Sequence, residues 1–458
     1  MTHRSDRNLR VAGLARVEGE GAMHVRVLDD RVTDVRLEIY EPPRFFEAFL
    51  RGRGYTEPPD ITARICGICP VAYQMSACRA IEDACGVEVG GALAELRRLL
   101  YCGEWIESHA LHIYLLHAPD FLGYPGAVEL AQDHREIVER GLALKKAGNA
   151  ILELVGGRAV HPINIRVGGF YRVPDRAALA ALRPVLRQAL EDALTTVTWV
   201  AGFDFPDFTH EHELLALTEP GRYAIERGTP RTDRGLTFPV RDFERHVHEE
   251  QVPHSTALHA RLAGRGRYLT GPLARFALNR SWLSPLASQA ATAAGLDGVC
   301  RNPFRSIVVR AVELTYAVEE ALRLVEEYEP PAVPHLEVPP RAGPGYGATE
   351  APRGTLFHRY ELAADGTLRT ARIVPPTSQN QAAIENDLRR FVQDRLDLDD
   401  HRLTHDCEQA IRNYDPCISC ATHFLDLTVE RETSVEGETS VEGETSVERE
   451  DSVERGSS

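Results

Sequence analysis

Apolar and polar residues alternate between about residues 10 and 40. Met23, Val25 and Val27 precede an Asp29-Asp30 pair, and Val35, Leu37 and Ile39 follow it. A period of two puts these side chains on one face of two strands, and the aspartates predict the turn of a β-hairpin. Beyond residue 90 the period becomes helical. Residues 93–117, 128–154, 177–200 and 307–328 each repeat apolar positions at helical spacing, and a Gly- and Pro-punctuated stretch, 156–173, separates the second from the third. Residues 203–275 mix loops with short strand-like pieces, namely Phe205-Pro206 with Phe208, and Arg222-Tyr223-Ala224-Ile225. They predict a small α+β part. A second hairpin is expected over 356–374, turning at Asp365-Gly366, where glycine accepts positive φ. Residues 382–396 form a last amphipathic helix. The predicted fold class is mainly α with small α+β parts. A helical core spans about 60–200 and 300–423, with β elements at its edges.

Composition narrows the functional classes. The 458 residues are 43% hydrophobic, enough for a large core, and carry a net charge of −16, which argues against a nucleic-acid or anionic-membrane surface. No apolar run reaches the roughly 20 residues of a membrane span, and residues 1–10 are too polar for a signal peptide. Nine cysteines, an odd count, fit a reducing cytoplasm where thiols bind metals or sit buried. From Phe424 onward eleven acidic residues face three arginines, in a repeat that begins Glu432-Thr433-Ser434-Val435-Glu436-Gly437. Such a segment has nothing to bury, and residues 424–458 are expected to be disordered.

The chemistry lies in two cysteine pairs at opposite ends of the chain. Arg64-Ile65-Cys66-Gly67-Ile68-Cys69 and Asp415-Pro416-Cys417-Ile418-Ser419-Cys420 together offer four thiolates. Thiolates favour zinc, iron–sulfur clusters, copper(I) or nickel over magnesium or calcium. A gap of 351 residues between Cys66 and Cys417 is far too long for a zinc ribbon or finger. Spacing alone leaves structural zinc, a redox metal and unrelated pairs all open. Cys78, Cys85, Cys102, Cys300 and Cys407 are expected as core thiols.

The residues flanking the pairs resemble the large subunit of the nickel–iron hydrogenases. That family's signature is Arg-x-Cys-Gly-x-Cys with a distant Asp-Pro-Cys-x-x-Cys-x-x-His, and His423 completes the second half here. The resemblance runs over nearly all of residues 10–423. It implies the family's helical-bundle core, shared with the related subunit of respiratory complex I (the 49-kDa-like fold). It also implies a nickel–iron centre whose iron carries carbon monoxide and cyanide. Cys66 and Cys417 would be terminal nickel ligands, with Cys69 and Cys420 bridging to iron.

The same resemblance gives meaning to residues that are otherwise ordinary. Taken alone, Glu18 is a solvated strand carboxylate. In the motif Arg16-Val17-Glu18-Gly19 it matches the glutamate that passes protons from a nickel thiolate, here Cys417. Glu47, taken alone a helix-face charge, matches a ligand of a hard cation, magnesium or iron(II). His423 and the Ile373 carbonyl would complete that set. Arg353 matches the arginine over the open coordination position, a fixed charge able to bond a cyanide. Thr377 matches the hydroxyl on the other cyanide, with Ser378 a close rival, and Asp415 would orient Arg353. His109, His112 and His117 are expected to be packed or hydrogen-bonded. Tyr73 and Ser108 are departures, since many relatives have histidine at the first position and some have aspartate at the second.

The implied activity is reversible heterolytic cleavage of H2. No further cluster-spaced cysteines and no Gly-x-Gly-x-x-Gly loop occur in the chain. Electrons would therefore leave through an iron–sulfur small subunit and further flavin and iron–sulfur subunits. Residues 41–50 and 69–76 look like the cytoplasmic NADP-linked group, some of whose members are called sulfhydrogenases. F420, NAD and polysulfide remain alternative acceptors. A maturation endopeptidase would cut after His423. The rivals are a non-catalytic scaffold like the complex I relative and a structural zinc protein.

Overall fold

The hairpin turn at Asp29-Asp30 opens the chain. Both residues take positive φ, 50° and 58°, the conformation a two-residue turn needs and one that aspartate tolerates. The computed structural model describes residues 7–422. His423 and the acidic repeat lie outside the described residues. Strand β1 (Arg7–Val11) adds to the predicted hairpin, β2 (Gly21–Leu28) and β3 (Arg31–Ile39), giving an antiparallel sheet. Met23, Val25, Val35 and Leu37 are buried together in one core cluster, as the alternation required.

Helix α1 (Pro70–Cys85) follows the first cysteine pair, with Cys69 at its N-cap. The periodicity did not single it out, because it is buried on nearly every face, Gln74, Ser76 and Glu82 included. Helix α2 (Gly91–Leu111) continues as a π-helical turn through His112–His117. The expected helix over 128–154 is broken at His134 and becomes Ala127–Asp133 followed by α3 (Arg135–Gly156). The one over 177–200 is interrupted at 181–182, ahead of Pro184, before α4 (Arg183–Ala201). Helix α5 (Ser306–Glu326) matches its prediction. α2 packs against α3 and α5, and α5 against α4, which makes the helical core.

Two of the strand-like pieces are not strands. Residues 205–208 and 222–225 are loop, while the strands of this part include Glu213–Thr218 and Thr229–Thr232. Tyr223, Ala224 and Ile225 are apolar because tertiary packing buries them, not because they pair in a ladder. The Tyr223 carbonyl instead accepts from buried Arg98 at 3.0 Å.

The second hairpin is part of a three-stranded sheet, β4 (Gly343–Ala351), β5 (Gly354–Leu362) and β6 (Leu368–Val374). Its first strand lies close against α1. A Cβ on Gly345 would meet the Ala80 carbonyl at 2.0 Å, and one on Gly347 the Ser76 carbonyl at 2.4 Å, so only glycine allows this approach. Helix α6 (Pro376–Gln393) starts six residues earlier than expected, and α7 (Asp400–Arg412) is capped by the Asp399 side chain. No helix among the described residues is long and apolar enough to cross a membrane. All five remaining cysteines are free and buried, as expected of core thiols.

Candidate metal centre

The turn before α1 carries Cys66 and Cys69, and the turn after α7 carries Cys417 and Cys420. The fold brings the two turns together. Cys66 Sγ lies 3.5 Å from Cys417 Sγ, and Cys69 Sγ lies 3.7 Å from Cys420 Sγ. All four sulfurs fall within 4.8 Å of one another and all four residues are buried.

Local bonds fix each side. The amides of Ile68 and Cys69 both donate to Cys66 Sγ at 3.3 Å. Cys66 is held well below the ordinary thiol range, chiefly by its hydrogen bond with Cys417. Burial pushes Cys417 and Cys420 up. Four touching sulfurs in a dry site cannot all become thiolates unless a cation compensates them, which is the behaviour of a metal site. The donor set suits a soft or borderline metal.

Glu18 reaches this centre because residue 18 forms a parallel bridge with residue 417. The Ile418 amide donates to the Glu18 carbonyl at 2.9 Å. Glu18 Oε2 lies 3.1 Å from Cys417 Sγ and accepts from the Ser419 amide at 3.1 Å. Arg353 enters from the β4–β5 turn. Its Nε donates to the Asp415 carbonyl at 2.8 Å and its Nη2 to Asp415 Oδ1 at 3.0 Å. Nη1 is buried and has no partner among the described residues. Burial opposes the charge, but Asp415 and then the cysteines Cys417, Cys69 and Cys66 raise the Arg353 pKa well above its usual value. Asp415 itself sits at positive φ, 50°, so that both its carbonyl and its carboxylate face one guanidinium.

Thr377 and Ser378 lie in the first turn of α6 but face different partners. Thr377 Oγ1 accepts from the Cys417 amide at 3.0 Å, so its own hydrogen remains available. Ser378 Oγ lies 3.0 Å from both Glu249 Oε1 and the Pro375 carbonyl, partners that are not part of the sulfur cluster. Tyr73 is buried, and burial, followed by the charges of Cys420, Cys69 and Cys417, raises its pKa well above the usual value. Glu47 is buried and accepts from the Ile373 amide at 2.8 Å. Burial, opposed by Arg372, pushes its pKa up to about 7, as expected of a carboxylate lacking a full counter-charge. His423, the third member of that set, lies outside the described residues.

The three helix histidines do not join the sulfurs. His109 Nε2 faces Glu313 at 3.2 Å, His112 Nε2 pairs with the Arg412 carbonyl at 2.8 Å, and His117 packs edge-on against Phe121. Ser108 is buried, and its hydroxyl has no partner among the described residues.

Two residues that hold the site escaped the reading of the sequence. Arg44 Nη2 donates to the Ile65 carbonyl at 2.6 Å and also to the Ser419 carbonyl, clamping the residues that immediately precede Cys66 and Cys420. Glu104 on α2 accepts from the amides of Val71, at 2.6 Å, and Ala72, at 3.2 Å, capping α1 just beyond Cys69. A glutamate inside an apolar helical stripe was the available signal for Glu104. Arg44 gave none.

The family model described as "Nickel-dependent hydrogenase" matches residues 44–140 and 305–423, the segments that carry both cysteine pairs. The chain is 34% identical over 420 residues to sulfhydrogenase 1 subunit alpha of Pyrococcus furiosus, covering 90% of this chain and 97% of the relative. It is 27% identical to the NAD-reducing hydrogenase HoxS subunit beta of Cupriavidus necator, covering 92% and 95%. Among solved structures, an NAD+-reducing NiFe hydrogenase in the H2-reduced state superposes with a TM-score of 0.83. It shows 26% identity over 91% of this chain and 99% of that one.

Proposed function

This chain belongs to the nickel-dependent hydrogenase family as a large subunit, and we propose that it is the catalytic subunit of a cytoplasmic, bidirectional, NADP-linked enzyme. The observation that carries the reading is the convergence of four buried sulfurs from opposite ends of the chain, with a carboxylate 3.1 Å from one of them. Cys66, Cys69, Cys417 and Cys420 would hold a nickel–iron pair, the iron carrying carbon monoxide and cyanide. When bound, the nickel–iron pair supplies the Lewis acidity and redox capacity for heterolytic cleavage of H2.

The protein's own groups handle the proton and the charge. A proton on Cys417 Sγ has Glu18 Oε2 within direct hydrogen-bonding reach, and the Ser419 amide holds that oxygen in place. Arg353 presents a buried, unspent Nη1 donor while Asp415 occupies its other two nitrogens. The free hydrogen of Thr377 suits one cyanide nitrogen, and Ser378 is the weaker candidate because it is engaged with Glu249. Glu47, the Ile373 carbonyl and His423 would hold magnesium or iron(II).

Arg353→Lys is expected to keep the charge but lose the fork. A lysine cannot hold both Asp415 acceptors and still offer a donor. Hydrogen uptake should fall about 100- to 1,000-fold, the cost of one preorganised donor. Uptake within a few-fold of wild type would remove Arg353 from the reaction.

Electrons are proposed to leave through an iron–sulfur small subunit toward iron–sulfur and flavin subunits, with NADP+ as acceptor. Similarity to a sulfhydrogenase subunit supports this branch, and similarity to an NAD-reducing enzyme keeps NAD+ as the second reading. Under H2 the purified complex should reduce NADP+ faster than NAD+, F420 or polysulfide. A clear preference for another acceptor would replace the NADP assignment. The acidic repeat is proposed to be removed by a maturation endopeptidase after His423. Intact mass of the nickel-loaded subunit should then end at residue 423, and a mature chain retaining the repeat would defeat that claim.

A further inference from the structure

Outside the cysteine centre, the described residues bring together one more group of metal-ligating side chains, His254, His259 and Glu385. One ligand atom from each lies within 4.8 Å of the others. His254 precedes and His259 begins a short strand, His259–Leu262, while Glu385 lies midway along α6. The carboxylate is already fixed. Its Oε1 accepts from the Leu37 amide at 2.9 Å and lies 2.7 Å from His254 Nε2. Its Oε2 lies 4.0 Å from His259 Nδ1.

His259 is the unexplained member. Its side chain is 2% exposed, yet its Nε2 is buried without a hydrogen-bond partner among the described residues. Burying an imidazole unsatisfied costs stability unless something further occupies the site. A cavity of about 70 Å³ is lined by His259 and Glu385, with Val35, Ala382 and Asn386 beside them, while His254 reaches Glu385 from outside this lining. That is room for an ion and a small fourth ligand.

The chemistry narrows the ion. Two imidazoles and one carboxylate suit zinc, with iron(II) the nearest rival, whereas magnesium and calcium prefer oxygen alone. Arg261, Arg267 and Arg389 also line the cavity, which works against a cation held by charge alone. Two of them are engaged elsewhere. Arg261 pairs with Glu250 at 2.5 Å, and Arg389 donates to the carbonyls of Val32 and Thr33. We propose that His254, His259 and Glu385 bind one zinc ion, with water or a small anion as the fourth ligand.

Its effect would be to brace the wall of the cysteine centre. Within the same segment Thr256 Oγ1 bonds the carbonyls of Ile39, at 2.9 Å, and Glu41, at 2.7 Å. Ala257 packs with Ile39, Ile418 and Ala421, residues that flank the second cysteine pair. A zinc clip from this segment to α6 thus fixes the surface on which Cys417 and Cys420 rest.

Elemental analysis of the purified complex tests this directly. One zinc per large subunit should be present in addition to nickel. His259→Ala and Glu385→Gln should each lose that zinc while keeping nickel and the infrared bands of the iron's diatomic ligands. The wild-type zinc X-ray absorption spectrum should show histidine nitrogen and oxygen ligation, which keeps the idea testable even should a variant not fold. Zinc equal in wild type and variants, sulfur-only ligation, or no zinc after incubation of the wild-type complex with zinc salt would overturn it.

Discussion

Cys417→Ser is expected to abolish hydrogen uptake. The substitution keeps the backbone turn and nearly the same volume, so the fold has no reason to change. It replaces a soft sulfur by a hard, poorly acidic hydroxyl at the point where three things meet. Cys417 Sγ is 3.5 Å from Cys66 Sγ, 3.1 Å from Glu18 Oε2, and attached to an amide that bonds Thr377. Loss of an outer-sphere partner of a metal ligand typically costs about 10- to 100-fold. Loss of the proposed ligand itself, which would also be the proton's first stop, should reduce activity to background. Nickel content should fall with it. Measurable uptake together with full nickel occupancy would show that Cys417 is not a ligand.

Glu18→Gln separates proton transfer from metal binding. The amide is isosteric, can still accept from the Ser419 amide, and leaves all four sulfurs in place. It cannot accept a proton from Cys417 and give it up again. Removing a positioned acid–base group costs about 100- to 10,000-fold, so H2–D2O exchange and turnover should both drop by that order while nickel and iron remain. Exchange at the wild-type rate would assign the proton route to another group. Lost nickel would mean that Glu18 is structural.

Much of this site was legible in the sequence because the chemistry is local to short motifs. A Cys-x-x-Cys turn faces both sulfurs one way whatever the rest of the chain does. The Asp29-Asp30 turn was legible for the same reason, since aspartate accepts the positive φ that such a turn demands. What was lost depends on packing across long separations. Strand β4 begins Gly343-Pro344-Gly345-Tyr346-Gly347, which reads as turn, yet its glycines exist to let the strand touch the backbone of α1. Helix α1 showed no stripe because it is buried on nearly every face. Tyr223 and Ile225 looked like strand because burial alone had selected them. Arg44 serves two carbonyls, one 21 and one 375 residues away, and no spacing rule links them. Tyr73 stood out as a departure from the family pattern, and the structure buries it where the charges of Cys420, Cys69 and Cys417 act on its phenol.

The claim on which the rest depends is that the four converging sulfurs hold a nickel–iron pair with diatomic ligands. The infrared spectrum of the purified complex tests it most directly, because carbon monoxide and cyanide bound to iron absorb where no protein group does. The account predicts one carbon monoxide band and two cyanide bands that shift when H2 is admitted. A spectrum empty in that region, from protein carrying a metal on all four cysteines, would contradict it.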